Sequence, residues 1–203
     1  NICPDKLHEC QSELESLYAL YRLLLDARQE RGALDFETTE TRIIFDEYRK
    51  IQRICLSERT EAHRLIEECM LMANVATARF LKKYKIPTLY RVHPEPSPDK
   101  MKNLREFLEE MNVPFTGSKK ITTQHYCKVL ERIEARPDKH LINTVLLRSM
   151  SQAQYSEKNI GHFGLAFPVY AHFTSPIRRY PDLLVHRAIG WIIDNHPIAE
   201  YPY

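Results

Sequence analysis

The stretch from Thr60 to Lys83 constrains the fold more than any other part of the chain. Apolar Leu65, Cys69, Met72, Val75, Ala76 and Phe80 recur there at intervals of three and four, and Thr60 is suited to cap the first turn. The spacing predicts one long helix. Small Ala73, Ala76 and Ala78 let neighbours approach on several sides, so this helix is expected at the domain centre with Met70, Met72 and Val75 in the core. Glu67 and Glu68 sit side by side on it and point about 100° apart. Only one of them is expected to face inward, and an inward carboxylate needs a basic partner such as Arg178 or Arg187.

The remaining elements follow from shorter patterns. Leu7, Leu14, Leu17, Leu20 and Leu24 predict an amphipathic helix from about Asp5 to Gln29, stopped near Gly32. Ala33 to Phe36 and then Arg42 to Leu56 read as a strand followed by a hairpin, although Ile43, Ile44, Ile51 and Ile54 also permit a helix. Thr88 to His93 predicts a buried strand before the turn-rich Pro94 to Pro98. Helices are expected from about Ser97 to Met111, Thr122 to Ala135 and Asp138 to Ser149, with Gly117 to Lys120 as a solvated connection. An extended stretch from Gly161 to Phe173 leads to a last helix, Pro181 to Asn195, with Leu184, Ala188, Trp191 and Ile192 inward, and then to a frayed tail. The sum is a mostly helical α+β unit with a minority of strands.

Composition narrows the function classes. A hydrophobic content of 43% in 203 residues supports a buried core, and a net charge of +2 neither demands nor excludes nucleic acid, so local clustering must decide. The cysteines at positions 3, 10, 55, 69 and 127 form no close pair, and the nine histidines form no zinc-binding spacing. They read as reduced thiols and ordinary imidazoles of a cytoplasmic protein. No stretch has the length of a membrane span, and the N-terminus has neither Met nor the layout of a signal peptide, which suggests a piece of a longer protein.

Local clustering appears at Tyr170-Ala-His-Phe-Thr-Ser-Pro-Ile-Arg-Arg-Tyr-Pro-Asp182, where two arginines, three aromatics and a hydroxyl pair meet a helix start. Ser175 and Thr174 are candidate caps, Pro176 or Pro181 fits the first turn, and free backbone N–H groups there favour a phosphate that the arginines also grip. The plainer alternative is a capped surface helix with ordinary ion pairs. His93, His162 and His172 are each either sugar or phosphate contacts or packed structural histidines. Tyr180, Phe163 and Phe173 are either platforms for stacking planar rings or core.

His172-Phe-Thr-Ser-Pro-Ile-Arg-Arg-Tyr180, followed by Asp182-Leu-Leu-Val-His-Arg187, closely resembles the signature of the RNB catalytic domain of exoribonucleases of the ribonuclease II and ribonuclease R type. Arg31-Gly-Ala-Leu-Asp-Phe36, Leu65-Ile-Glu-Glu-Cys-Met-Leu-Met-Ala-Asn74 and His162-Phe-Gly-Leu165 fit the same family in the same order, with the ribonuclease R branch the nearer. The resemblance implies that residues 1–203 are the C-terminal half of such a catalytic domain, with residues 1–20 only weakly matched. It implies a magnesium-dependent, processive 3′ to 5′ exoribonuclease that releases nucleoside 5′-monophosphates from single-stranded RNA, with no membrane and no DNA partner. Arg178 would steady the scissile phosphate and Glu67 would be the acidic site residue. Arg179, Tyr180, His172, Thr174, Ser175 and His93 would contact RNA, and Arg179 is alternatively half of a structural ion pair.

One departure is an absence. The family's magnesium-holding loop, of the type Asp-Pro-x-x-Ala-x-Asp-x-Asp-Asp, is not in this sequence, and the acidic pairs Glu67-Glu68 and Glu109-Glu110 have the wrong spacing for it. No residue of the chain is therefore assigned to a metal, and the fragment alone is expected to be inactive. The rival reading is a non-catalytic RNA-binding or assembly module that keeps the groove without the chemistry.

Overall fold

The structure is a computed structural model, and it describes residues 10–36, 40–57, 59–115 and 121–202. In chain order the elements are α1 (Gln11–Arg31), β1 (Glu40–Phe45), β2 (Ile51–Ser57), α2 (Glu61–Tyr84), β3 (Tyr90–Val92), α3 (Pro98–Glu110), α4 (Thr123–Ile133), α5 (Lys139–Ser149), β4 (Gln154–Ser156) and α6 (Tyr180–Ile193). The mostly helical α+β class is observed. The start of the predicted first helix and the Gly117 to Lys120 connection lie outside the described residues.

Local chemistry accounts for most boundaries. α1 stops at Gly32, whose φ of 71° is left-handed and whose N–H reaches back to the carbonyls of Arg28 and Gln29. Thr60 caps α2, forming a reciprocal box with His63 in place of the usual Glu or Gln. Ser97 accepts from the Lys100 N–H at the start of α3, with Pro98 in the first turn. β1 and β2 form the expected antiparallel hairpin, in the register Ile43↔Ile54 and Arg42↔Cys55.

Other expectations are corrected. Ala33 to Phe36 is irregular chain that drops Ala33 and Leu34 into the interior, and the Thr88 to His93 strand shortens to β3, which pairs with the unforeseen β4. The stretch from Gly161 to Phe173 is broken by a tight turn, closed by paired bonds between His162 and Phe167. The C-terminal tail is tied down: Trp191 Nε1 donates to the Pro197 carbonyl at 3.0 Å, and Tyr201 packs on the Trp191 ring.

Three clusters make the core. Leu104, Leu108, Tyr126, Val129, Ile142 and Leu146 join α3, α4 and α5. Ala78 and Leu81 of α2 meet Val185, Ala188 and Ile192 of α6 around Val169 and Ala171. Leu71 and Val75 pack on Phe167 and Tyr170. α2 thus touches α1, α6 and the 167–171 segment, which is the central place expected of it. Its buried stripe is rotated from the expected one, however. Met70 and Met72 are half-buried and Ala76 is exposed, whereas Glu68, Asn74 and Thr77 are inside. Buried polar residues on the inner face of an otherwise apolar helix need partners, and those of Glu68 and Asn74 define the site.

Candidate functional site

The arginine motif is an ordered loop between α2 and α6. Asn74 Oδ1 accepts from the Phe173 N–H at 2.9 Å and the Thr174 N–H at 3.3 Å, while its Nδ2 donates to the Tyr170 hydroxyl at 2.9 Å. The next N–H, on Ser175, donates to Asp182 Oδ2 at 2.8 Å. The Ser175 carbonyl then accepts from the N–H groups of Arg178 and Arg179. Asp182 stands in the first turn of α6 and has no exposure to solvent.

This arrangement corrects the expected anion cradle. Neither Ser175 nor Thr174 caps α6; its N-cap is Arg179, with Pro181 in the first turn. The N–H groups of residues 173 to 175 are taken by Asn74 and Asp182. The negative charge that a helix N-terminus favours is supplied by the chain's own Asp182 carboxylate. Asp182 also engages Arg179, whose Nε and Nη2 both donate to Asp182 Oδ2, at 3.1 and 2.8 Å. The ion pair, one of the two alternatives for Arg179, is thus present.

Arg178 is placed differently. The residue is exposed, and among the described residues its guanidinium has one marginal hydrogen-bond contact, 3.5 Å to Ser175 Oγ. Ile177 before it is fully exposed and Tyr180 after it is 60% exposed. The loop thus fixes its own backbone and presents a cation, a hydroxyl and an aromatic ring outward. Thr174 Oγ1 and Asp182 Oδ1 are buried in this loop without a hydrogen-bond partner among the described residues.

Behind the loop runs a ladder of rings. His93 and His162 are 5.0 Å apart, His162 and Tyr170 5.3 Å, and Tyr170 and His172 5.6 Å, all edge to face. His172 Nδ1 shares a hydrogen bond of 2.8 Å with the Tyr155 hydroxyl. Burial, reinforced by Arg179, holds its imidazole down to a pKa of about 4. His162 is pushed down to about 3 by burial and by the neighbouring His93 and Arg91. Both rings are neutral at ordinary pH. His93 is held from both sides, as the structural alternative for it has it: its Nε2 bonds the Ser151 carbonyl at 2.8 Å and its Nδ1 accepts from the Gly164 N–H at 2.9 Å. Both nitrogens are committed inside the protein.

The acidic pair on α2 is reversed from the expectation. Glu68 is the buried carboxylate, and it is bonded to Arg28 of α1, a partner the sequence did not suggest. Glu67 is partly exposed, bonded to Arg59 and 3.5 Å from Arg28. The wide Arg28 guanidinium sits between two side chains that diverge, and so meets both. Asp35 completes the network, 3.1 Å from Arg59 and 3.7 Å from Arg28. Sequence reasoning gave no role to Asn74 or Arg28. The only available signal for Asn74 was a polar residue on the stripe of Glu67, two turns further along.

Among the described residues no three His, Cys, Asp or Glu side chains come together in a way that holds a metal. The nearest acidic group, Asp35 with Glu67 and Glu68, is occupied by two arginines. This donor set does not fit magnesium. Among the same residues no helix is long and apolar enough to cross a membrane.

Comparison with known proteins places the geometry. A profile of the RNB domain matches residues 4–195. The chain is 51% identical over 180 residues to ribonuclease R of Vibrio cholerae, covering 89% of this chain but only 22% of that protein. It superposes with a TM-score of 0.86 on Mycoplasma genitalium RNase R solved in complex with ribose-methylated single-stranded RNA, at 32% identity, covering 97% of this chain and 31% of that one. Yeast Ssd1, described as a pseudonuclease, shares the fold over 69% of this chain and 18% of its own, at 27% identity and a TM-score of 0.60.

Proposed function

The chain belongs to the RNB-domain family, and on that premise we propose that it is the second half of the catalytic domain of a processive, magnesium-dependent 3′ to 5′ exoribonuclease. Its substrate is single-stranded RNA and its products are nucleoside 5′-monophosphates. The observation that carries this reading is Arg178: an exposed guanidinium on a loop whose backbone is pinned from two helices.

In phosphodiester hydrolysis negative charge grows on the phosphate oxygens. A cation held in place before the reaction stabilises that charge without reorganising. Arg178 is assigned that role. Tyr180 offers a ring on which a base stacks, and Ser175 offers a hydroxyl beside the arginine, whereas the Thr174 hydroxyl expected there is buried. The neutral His172, fixed by Tyr155, is assigned to hydrogen bonding with the RNA backbone, since it carries no charge of its own. Glu67 is assigned as the acidic residue that holds Arg59 and faces the sugar of the 3′ nucleotide. Magnesium, which supplies the activated water, is assigned to carboxylates outside this chain because the residues here do not fit it.

Arg178→Lys in the full-length protein tests the reading. Lysine keeps the charge but loses the planar fork, so RNA affinity should hold while single-turnover cleavage slows by about 100-fold, or roughly 2.7 kcal/mol. Near-normal cleavage would reject the assignment. A second reading, a non-catalytic RNA-binding or assembly module, is favoured by the likeness to a pseudonuclease. The two part on the sequence upstream: an aspartate-rich loop there supports the enzyme, and its loss supports the module.

A further inference from the structure

The role assigned to Arg178 requires its loop to be held in register, and we infer that Asn74 is the positioning residue that does this. The inference rests on the proposed function but goes beyond it, because Asn74 belongs to a different helix, α2, and does not itself meet the RNA. It is fully buried. Two N–H groups, which can only donate, fix its amide oxygen toward residues 173 and 174, and so turn Nδ2 to the Tyr170 hydroxyl. All of these bonds reach across 96 to 100 residues of sequence.

The connection to the guanidinium is short. Asn74 holds the backbone at 173 and 174, Asp182 holds it at 175, and the Ser175 carbonyl holds the N–H groups of Arg178 and Arg179. Pro176, two residues before Arg178, and the ion-paired Arg179, directly after it, limit its swing. Glu67 lies seven residues before Asn74, two turns along the same face of α2, or about 10.5 Å at the helical rise. One rigid helix therefore carries both the acid assigned to the sugar and the anchor of the arginine loop. Asparagine suits the post because it accepts and donates at once. Leucine is close in shape but does neither, and leaves two buried N–H groups unpaired. Aspartate keeps the acceptor and obliges Tyr170 to turn its hydroxyl and donate.

The test uses the full-length protein and a single-stranded RNA, with Asn74→Leu and Asn74→Asp made alone and on an Arg178→Lys background. Single-turnover cleavage, equilibrium RNA binding and thermal melting are measured for each. Asn74→Leu should slow cleavage on the order of 100-fold, the scale of a displacement of about 1 Å, with RNA affinity nearly unchanged. Asn74→Asp should recover much of the rate. On the Arg178→Lys background Asn74→Leu should add little, because the two residues act through one guanidinium.

A fully additive loss, a wild-type rate for Asn74→Leu, or equal losses in rate and affinity would each overturn the inference. Where Asn74→Leu does not fold, Tyr170→Phe removes only the partner of Nδ2. It should show a smaller loss of the same kind, one that disappears on the Arg178→Lys background; persistence of the loss there overturns the inference. Normal cleavage by Arg178→Lys would remove the proposed function itself. Slow cleavage by Arg178→Lys beside normal cleavage by Asn74→Leu would remove only this inference.

Discussion

The α3–α5 region and the α1–α2–α6 region are built on opposite plans. The first closes on Leu104, Leu108, Val129, Ile142 and Leu146, and its buried Tyr126 hydroxyl is satisfied by Ser149 at 2.9 Å. The second buries Arg28, Glu68, Asn74, Thr77 and Asp182 among its apolar residues. Apolar packing is non-directional and stabilises the fold in bulk, whereas each buried polar group is useful only in one geometry. The α3–α5 region therefore acts as a stabilising platform. The polar region gives up some of that stabilisation to hold a particular loop and a particular carboxylate in place.

Truncation in each region sharpens that contrast. Leu104→Ala should lower unfolding stability by about 2–5 kcal/mol, read from a urea transition, because it opens a cavity in a packed interior. Glu68→Gln keeps an acceptor for Arg28 but removes its charge, and should lower stability by about 1–3 kcal/mol. Glu67→Gln, on the partly exposed carboxylate, should change it by less than about 1 kcal/mol. Equal losses for the two glutamates would show that burial does not separate them. In the full-length protein the contrast inverts for activity: Glu67→Gln should impair cleavage at unchanged stability.

Acid provides the next separation. His162 and His172 have folded pKa values of about 3 and about 4, held down first by burial, against the ordinary imidazole value near 6.5. A depressed histidine binds its proton more readily in the unfolded chain, so its contribution is complete above about pH 6.5 and is lost as pH falls toward the folded values. Unfolding stability should therefore decline between about pH 6.5 and 4, by up to about 1.4 kcal/mol per pH unit for each histidine, read from urea transitions across that range. His172→Gln should flatten the upper part of that decline. An unchanged slope would place the acid sensitivity elsewhere.

How much of this was legible in the sequence depends on the range of the interaction. Gly32 ended α1 and Thr60 opened α2 because capping is decided within four residues. The helical spacing of α2 was equally plain, yet the choice between Glu67 and Glu68 was not. Adjacent carboxylates satisfy the same period, and the deciding partner, Arg28, lies 40 residues upstream. The expectation of free N–H groups at the arginine loop failed for the same reason: Asn74 takes two of them from about 100 residues away. The strand β4 went unseen because three residues carry no period, and its pairing with β3 is again long-range.

The hairpin gives the smallest expected effect on stability. By register and alternation Ile43, Phe45, Ile54 and Leu56 share one face, and all four are exposed, from 44% to 67%. An apolar row that buries little contributes little to the fold it belongs to, so Ile54→Thr should alter unfolding stability by no more than about 0.5 kcal/mol. Threonine keeps the β-branch that suits a strand, which removes backbone preference as a competing cause. The change should appear in self-association instead, since contiguous exposed apolar surface drives contact between copies. Sedimentation velocity across a concentration series should show the wild-type chain associating more strongly than Ile54→Thr. A large loss of stability with no change in sedimentation would show that this face is packed, and would move the hairpin into the same class as the α3–α5 core.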